Sequence, residues 1–141
     1  MDIAFHFQKK TTLLNRGILK QFITSIFNKE KTPAESLDVI FCDDEYLLDI
    51  NRSFLNHDYY TDIITFNLAP DKDAPVQAEL YISIDRVREN ALAHSASLRH
   101  EIHRVIFHGV LHLCGYKDKS KKDFLMMREM ENKYLNLYFK G

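Results

Sequence analysis

Two histidines and one aspartate in the last third of the chain have the types and the spacing of metal ligands. His108 and His112 stand four residues apart in an apolar run, and side chains four apart on an α-helix share one face, one turn from each other. Their imidazoles can therefore reach a common ion. Gly115 ends this helix and turns the chain, so that Asp118 can swing back beneath the pair. We predict a metal site formed by His108, His112 and Asp118.

This ligand set is typical of a catalytic site. Two histidines and one carboxylate leave the fourth tetrahedral position of a zinc ion open to water or substrate. The same donors also suit iron or nickel, so the sequence favours zinc without fixing the metal. The alternative is a hydrogen-bonded pair of core histidines, which would need polar partners inside this apolar run. Glu101 lies on the same helical stripe, and we expect it to reach the histidines as a hydrogen-bond acceptor.

Gly109 follows the first histidine at the position where metalloprotease helices carry a glutamate as general base. A metal-dependent hydrolase acting on peptide or amide bonds is therefore a less favoured alternative. Two further histidines of this helix, His100 and His103, are expected at the surface, because His103 lies about 140° around the helix from His108. His57 lies in a polar aromatic loop and could contact a substrate.

Strands and helices that position these residues follow from the apolar pattern. The predicted strands are 3–7, 36–42, 63–67 and 79–84. The predicted helices are 13–28, Asp43 or Asp44 to about Leu55, Asp85 to about His94, about 97–114 and about 121–138. Asp43 or Asp44 is the predicted cap of the second helix, and Asp85 that of the third. In the first helix, Leu14, Ile18, Phe22 and Ile26 form the predicted apolar stripe, widened by Leu19 and Ile23.

The order of these elements predicts an α+β fold. We expect a small mixed sheet of about four strands, mostly parallel with one antiparallel hairpin partner, packed with about five helices. The metal site lies on the long central helix. The length of 141 residues suits one domain, and we expect residues 1–141 to form a single metal-binding domain.

Composition sets broad limits on the function. The hydrophobic fraction of 45% and the charged fraction of 28% are those of a globular protein. The net charge of −1 does not by itself indicate a nucleic-acid binder. Cys42 and Cys114 lie in apolar segments, which indicates buried thiols in a reducing compartment. No apolar run approaches the length of a membrane span, so we expect a cytoplasmic protein.

The motif around the metal ligands resembles that of a known family. The segment His-Gly-Val-Leu-His-Leu-Cys-Gly-Tyr, followed by a ligand at its eleventh position, is similar to the motif of the YbeY endoribonucleases, also called rRNA maturation factors. Residues 61–66 (Thr-Asp-Ile-Ile-Thr-Phe) and 79–83 (Glu-Leu-Tyr-Ile-Ser) resemble two strands of that family. The order of elements and the chain length also agree, so the resemblance covers most of the chain.

This resemblance implies a function that composition and spacing do not. It implies one zinc ion, cleavage of single-stranded RNA, and a role in ribosomal RNA maturation, including the 3′ end of the small-subunit RNA, and in ribosome quality control. It implies ribosomal RNA and the ribosome or its proteins as partners in the cytoplasm, with no part for DNA or a membrane. A non-enzymatic ribosome-associated factor with a structural metal is the alternative.

Two positions depart from the family pattern. The family usually has histidine where this chain has Asp118, and many members have arginine where it has Leu55. The catalytic partner of the metal is therefore open, with His57, Asp62 and Arg52 as candidates for orienting substrate or moving a proton. We expect basic residues of the first and last helices and nearby loops to hold the RNA backbone: Lys9, Lys10, Arg16, Lys20, Lys117, Lys119 and Lys121.

Overall fold

The computed structural model describes residues 1–140, and over that range it contains four strands and five helices. The strands are β1 (Asp2–Phe7), β2 (Ala34–Cys42), β3 (Ile63–Asn67) and β4 (Val76–Ser83). The helices are α1 (Arg16–Lys29), α2 (Asp44–Leu55), α3 (Ile84–Ala93), α4 (Leu98–Leu113) and α5 (Lys121–Lys140). The predicted α+β class and the numbers of strands and helices are confirmed.

The four strands form one mixed sheet in the order β1-β2-β4-β3. The pairs β1–β2 and β2–β4 are parallel, whereas β3 pairs antiparallel with β4 and sets Ile64 opposite Tyr81. The helical connections between the parallel strands explain this arrangement, because parallel neighbours need a crossover and only β3 and β4 are joined by a short loop. The sheet is mostly parallel with one antiparallel partner, as the sequence predicts.

The sheet carries a core on each face, because successive side chains of a strand point to opposite sides. The main core joins alternate residues of β2 and β4 to α1, α3, α4 and α5; the β4 members are Val76, Ala78, Leu80 and Ile82. A smaller core lies between the other face and α2, and its buried members are Cys42, Leu47, Ile50 and Ile64. The helix with the two histidines thus packs over the larger core.

Helix α4 lies close against the sheet at Gly109. A Cβ atom at this position would lie 2.7 Å from Cδ1 of Ile63 and 2.9 Å from both terminal methyl carbons of Leu80. These distances are shorter than any van der Waals contact between carbon atoms, and Leu80 is fully buried. The glycine that follows His108 is therefore required by the packing of α4 on β3 and β4.

Two details of the predicted helices are wrong. Helix α1 begins at Arg16, after Asn15 in a left-handed conformation, and Leu14 and Ile18 are exposed rather than part of the buried stripe. Its buried residues are Leu19, Ile23, Ile26 and Phe27. The side of the helix that carries Leu19 and Ile23 therefore faces the core. Helix α3 is capped by Ser83, whose hydroxyl accepts from the backbone N–H of Arg86 at 3.2 Å, and not by Asp85.

Within residues 1–140, none of the helices has both the length and the apolar character that a membrane crossing needs.

Candidate metal centre

The three predicted ligands lie together at the end of α4. Oδ2 of Asp118 is 3.2 Å from Nε2 of His108 and 3.2 Å from Nε2 of His112, and one donor atom from each residue lies within 4.8 Å of the others. Two ligands bound to one zinc ion at about 2.0–2.1 Å in tetrahedral geometry stand about 3.3 Å apart. The spacing and chemistry of these donors therefore fit a single ion. We call these three residues the His–His–Asp triad.

The turn after α4 brings Asp118 back to the histidines. Gly115 has φ +103°, a conformation that residues with a side chain rarely adopt, and it ends the helix. The hydroxyl of Tyr116 donates to Oε1 of Glu30 at 2.7 Å, and Tyr134 of α5 donates to the other oxygen of the same carboxylate. The loop that carries Asp118 is therefore tied to the end of α1 and to α5.

A glutamate from α5 fixes the orientation of His108. Nδ1 of His108 donates to Oε2 of Glu131 at 2.7 Å, and Glu131 is only 4% exposed. The other carboxylate oxygen of Glu131 accepts from Arg104 at 2.9 Å and from Arg128 at 3.4 Å. Because a carboxylate accepts here, Nδ1 carries the proton and Nε2 is left free to face Asp118.

The opposite charges of His108 and Glu131 shift the pKa of each group in the direction that favours its ionised form. Burial alone would lower the pKa of His108, but the hydrogen bond and charge of Glu131 raise it above its ordinary value. Burial opposes ionisation of Glu131 as well, yet the hydrogen bond and charge of His108, with Arg104, hold the pKa of Glu131 below its usual range. Glu131 therefore faces His108 as a carboxylate, the form that accepts a hydrogen bond from a metal ligand.

The acceptor predicted from the sequence, Glu101, does not perform this role. Seven residues separate it from His108, which is two helical turns or about 10 Å along the axis. Glu101 is buried and its carboxylate lies 3.8 Å from Nε of Arg104. Burial raises the pKa of Glu101. The prediction was wrong because the partner of His108 comes from α5, an element that the helical stripe of α4 cannot reveal.

A cleft of about 580 Å³ opens beside the His–His–Asp triad. It is bounded by the end of α2, the loop 56–62, strand β3, the end of α4 and the loop that follows α4. Its lining residues outside the triad are Asn51, Leu55, His57, Tyr59, Thr61, Asp62, Ile63, Ile64, Thr65, Asn67, Leu113 and Lys119. The lining mixes apolar and aromatic side chains with polar groups that could orient a bound ligand.

The three catalytic candidates have different positions. His57 and Asp62 line the cleft, whereas Arg52 does not and is paired with Asp58 at 2.5 Å. Leu55 also lines the cleft. The structure therefore brings two of the candidates to the triad and leaves Arg52 outside.

Asp62 lies beside His108 and is partly shielded from solvent. It also lines a second cavity of about 190 Å³ on the other side of His108, and its Oδ2 accepts from Asn90 at 3.3 Å. Burial raises the pKa of Asp62, although the charge of His108 opposes that shift. A carboxyl group whose pKa moves toward neutrality beside a metal site can take up or release a proton during a reaction.

The remaining predicted residues are scattered. Of the seven basic residues expected to hold RNA, Lys119 lines the cleft, whereas Lys9 pairs with Asp85 and Arg16 lies over the ring of Phe7.

The surface position predicted for His103 is wrong. Its ring is 1% exposed beneath α5 and stacks on Tyr138, and His100 is half-buried beside the same helix.

These features define a small α+β protein with an open two-histidine, one-aspartate cluster beside a cleft. The sequence model of the family described as "Endoribonuclease YbeY" matches residues 4–138, and the chain belongs to this family. Two relatives carry the same description. The Cytophaga hutchinsonii protein is 46% identical over 138 residues, covering 96% of both chains. The Porphyromonas gingivalis protein is 48% identical over 122 residues, covering 86% of this chain and 80% of the relative.

A solved structure supports the fold independently. The solution structure of a Thermotoga maritima protein is similar to this chain with a TM-score of 0.65 and 26% sequence identity. The similarity covers 97% of this chain and 90% of that protein. The sheet and helices described above therefore recur over nearly the whole length of both proteins.

Proposed function

We propose that this protein is a zinc-dependent endoribonuclease that cleaves single-stranded RNA during ribosomal RNA maturation. The observation that carries this proposal is the convergence of His108, His112 and Asp118 at a cleft, in a chain that belongs to the YbeY family. The 3′ end of the small-subunit RNA is the expected site of action. Association with ribosomes, a part in ribosome quality control and a cytoplasmic location belong to the same proposal.

The metal ligands and the residues around them have different roles in this proposal. A zinc ion held by the triad would supply Lewis acidity and lower the pKa of a bound water. Glu131 orients the ring of His108, and the ammonium group of Lys119 offers a positive charge to a phosphate in the cleft. The phosphodiester is thereby positioned by charge, while solvent reaches the site through the open cleft.

Asp62 is the residue that we assign to proton transfer. It lines the cleft beside His108, and burial raises the pKa of its carboxyl group. His57 also lines the cleft but hydrogen-bonds through Nδ1 to the hydroxyl of Tyr59 at 3.0 Å and is exposed to solvent. Its position suits contact with the substrate better than transfer of a proton at the reacting centre.

The test compares metal content with RNA cleavage. Purified protein should contain one zinc ion per chain and cut a single-stranded fragment spanning the 3′ end of small-subunit RNA. His112→Ala and Asp118→Ala should lose both the ion and the cleavage, whereas His6→Ala, whose ring contacts Asp38 on the far edge of the sheet, should retain both. Full cleavage by a metal-free variant would contradict the proposal.

The two alternative functions are less well supported. A structural metal favours a fourth protein ligand, but within residues 1–140 the cluster comprises three groups, and His57 is not among them. A peptide or amide hydrolase of the metalloprotease type needs a general base after the first histidine, and the packing at Gly109 leaves no space for one.

A further inference from the structure

An exposed pair of stacked rings lies in the same cleft as the His–His–Asp triad. The rings of His57 and Tyr59 are 5.1 Å apart between centroids, with 22° between their planes. Both residues line the cleft, and Tyr59 is 56% exposed. The exposed face of an aromatic ring in a cleft can stack on a second ring, and nucleobases stack well on such faces.

The loop that carries these rings is held in a fixed conformation. Asn51 of α2 is 1% exposed, and its Nδ2 donates to the carbonyl oxygen of Tyr59 at 2.9 Å. The backbone carbonyl oxygen of Asn51 accepts from the backbone N–H of His57 at 3.1 Å. The Tyr59 hydroxyl also contacts Nδ1 of His57 at 3.0 Å. Asn51 thus holds Tyr59 through its buried side chain and His57 through its backbone carbonyl. This reduces the entropy lost when a ligand binds.

The wall of the cleft that carries His57 and Tyr59 differs in charge from the wall that suits a phosphate. Lys119 and the triad lie on the segment at and after the end of α4. The neighbouring wall has the apolar Leu55, and the charge of Arg52 outside the cleft is paired with Asp58. A polyanion therefore finds favourable charge at Lys119 and at a metal ion held by the triad, whereas the wall at Tyr59 offers an aromatic and apolar surface.

We propose that His57 and Tyr59 form a stacking site for a nucleobase of single-stranded RNA whose backbone lies at the triad, an inference that rests on the proposed function. In a duplex, both faces of a base are covered by its neighbours, so only an unstacked base can occupy such a site. The pair would thereby select single-stranded RNA.

A tryptophan at position 59 provides a direct test, because the natural chain contains no tryptophan. Tyr59→Trp protein, loaded with zinc, is titrated with a short 2′-O-methyl oligoadenylate and with the same oligonucleotide lacking its bases. Stacking on adenine should quench the tryptophan emission, whereas the abasic strand should leave it unchanged. Tyr60→Trp is the matched control, since Tyr60 bonds to Glu45, lies near Arg86 and is outside the cleft lining; its emission should not respond.

Affinity measurements separate this inference from the proposed function. Tyr59→Ala should weaken binding of the oligoadenylate about tenfold or more, as expected for the loss of one stacked base, and should not weaken binding of the abasic strand. Unchanged binding of the abasic strand by Tyr59→Ala would exclude misfolding as the cause, and Tyr59→Phe, which keeps the ring, should retain affinity for the oligoadenylate. Equal quenching by the abasic strand, or unchanged affinity of Tyr59→Ala, would overturn the stacking site even if the natural protein cleaves RNA. Failure of the natural protein to bind any RNA would overturn both.

Discussion

At the scale of single residues, the charges around His108 favour a bound cation. The carboxylates of Asp118 and Glu131 lie within 3.2 Å of its two ring nitrogens, and Asp62 lies beside it in both cavities. Arg104 offsets part of this negative charge through its contact with Glu131. A divalent ion at the triad would offset the rest, so the surroundings of the ligands as well as their identity suit a metal.

Glu131→Gln should weaken metal binding. The amide keeps the size of the side chain but lacks the negative charge that orients and polarises the imidazole of His108. Loss of such an outer carboxylate typically lowers metal affinity about 10- to 100-fold, which competition with a chromophoric chelator can measure. Glu129→Gln, on the exposed side of the same helix, should bind zinc as the natural protein does. Equal affinities of the two variants would show that Glu131 has no part in metal binding.

The sequence predicts the members of the triad better than their surroundings. His108, His112 and Asp118 lie within eleven residues, and helix periodicity followed by a glycine turn is enough to bring them together. Glu131 is 23 positions from His108, and no spacing rule connects residues on two different helices. Its contact depends on how α5 packs against α4, which only the tertiary structure reveals.

At the scale of secondary-structure elements, the position of α4 depends on close contact with the sheet. Gly109→Ala should lower the free energy of unfolding by about 1–3 kcal/mol, because the added methyl group would overlap Ile63 and the fully buried Leu80. Urea denaturation followed by circular dichroism measures this change. Gly17→Ala in α1 meets no atom within 4 Å and should leave stability unchanged or raise it by up to about 1 kcal/mol. Destabilisation by both variants alike would argue against this close approach.

The interface between α4 and α5 should respond to pH through His103. Burial lowers the pKa of His103 below that of an unfolded histidine, so the unfolded chain takes up this proton more readily than the folded protein. Above about pH 6.5 the imidazole is neutral in both states and has no effect on the pH dependence of stability. As the pH falls below that value, the unfolded chain binds the proton more readily, and the free energy of unfolding decreases progressively. His103→Phe, which keeps a ring beside Phe107 and Tyr138, should lose less stability than the natural protein between about pH 7.5 and 5.5.

Chemical denaturation at a series of pH values measures this difference. His94→Phe, which makes the same replacement at an exposed histidine, is the matched control. A natural protein whose stability falls no faster than that of His103→Phe would show that His103 does not titrate as a buried group.

Element types could be predicted from the sequence because local signals agreed with tertiary packing. Strand β3 and the end of α4 fall close to their predicted positions, since an apolar run and a glycine turn mark them. The orientation of α1 could not be derived in the same way. Apolar residues occupy more than one side of that helix, and only contact with the sheet and α4 decides that Leu19 and Ile23 are buried while Ile18 is exposed.

At the scale of the whole molecule, the triad lies where several distant segments meet. Glu30 at the end of α1 accepts from Tyr116 in the loop before Asp118 and from Tyr134 of α5. Glu131 joins α5 to the ligand His108. The ligands are thus held by contacts that span most of the chain and that form only in the folded state, so metal binding should be coupled to folding.

Zinc should therefore raise the thermal stability of the whole protein. A ligand that binds only the folded state stabilises it by about 2.7 kcal/mol at a free concentration of 100 times its Kd, which for a chain of this length corresponds to a rise in Tm of roughly 10 °C. Differential scanning calorimetry with chelator-treated and zinc-loaded protein measures this shift. His112→Ala should show no comparable rise, because it removes one ligand from a partly exposed position and leaves the core intact. A rise of the same size in His112→Ala would mean that zinc stabilises the protein at a site other than the triad.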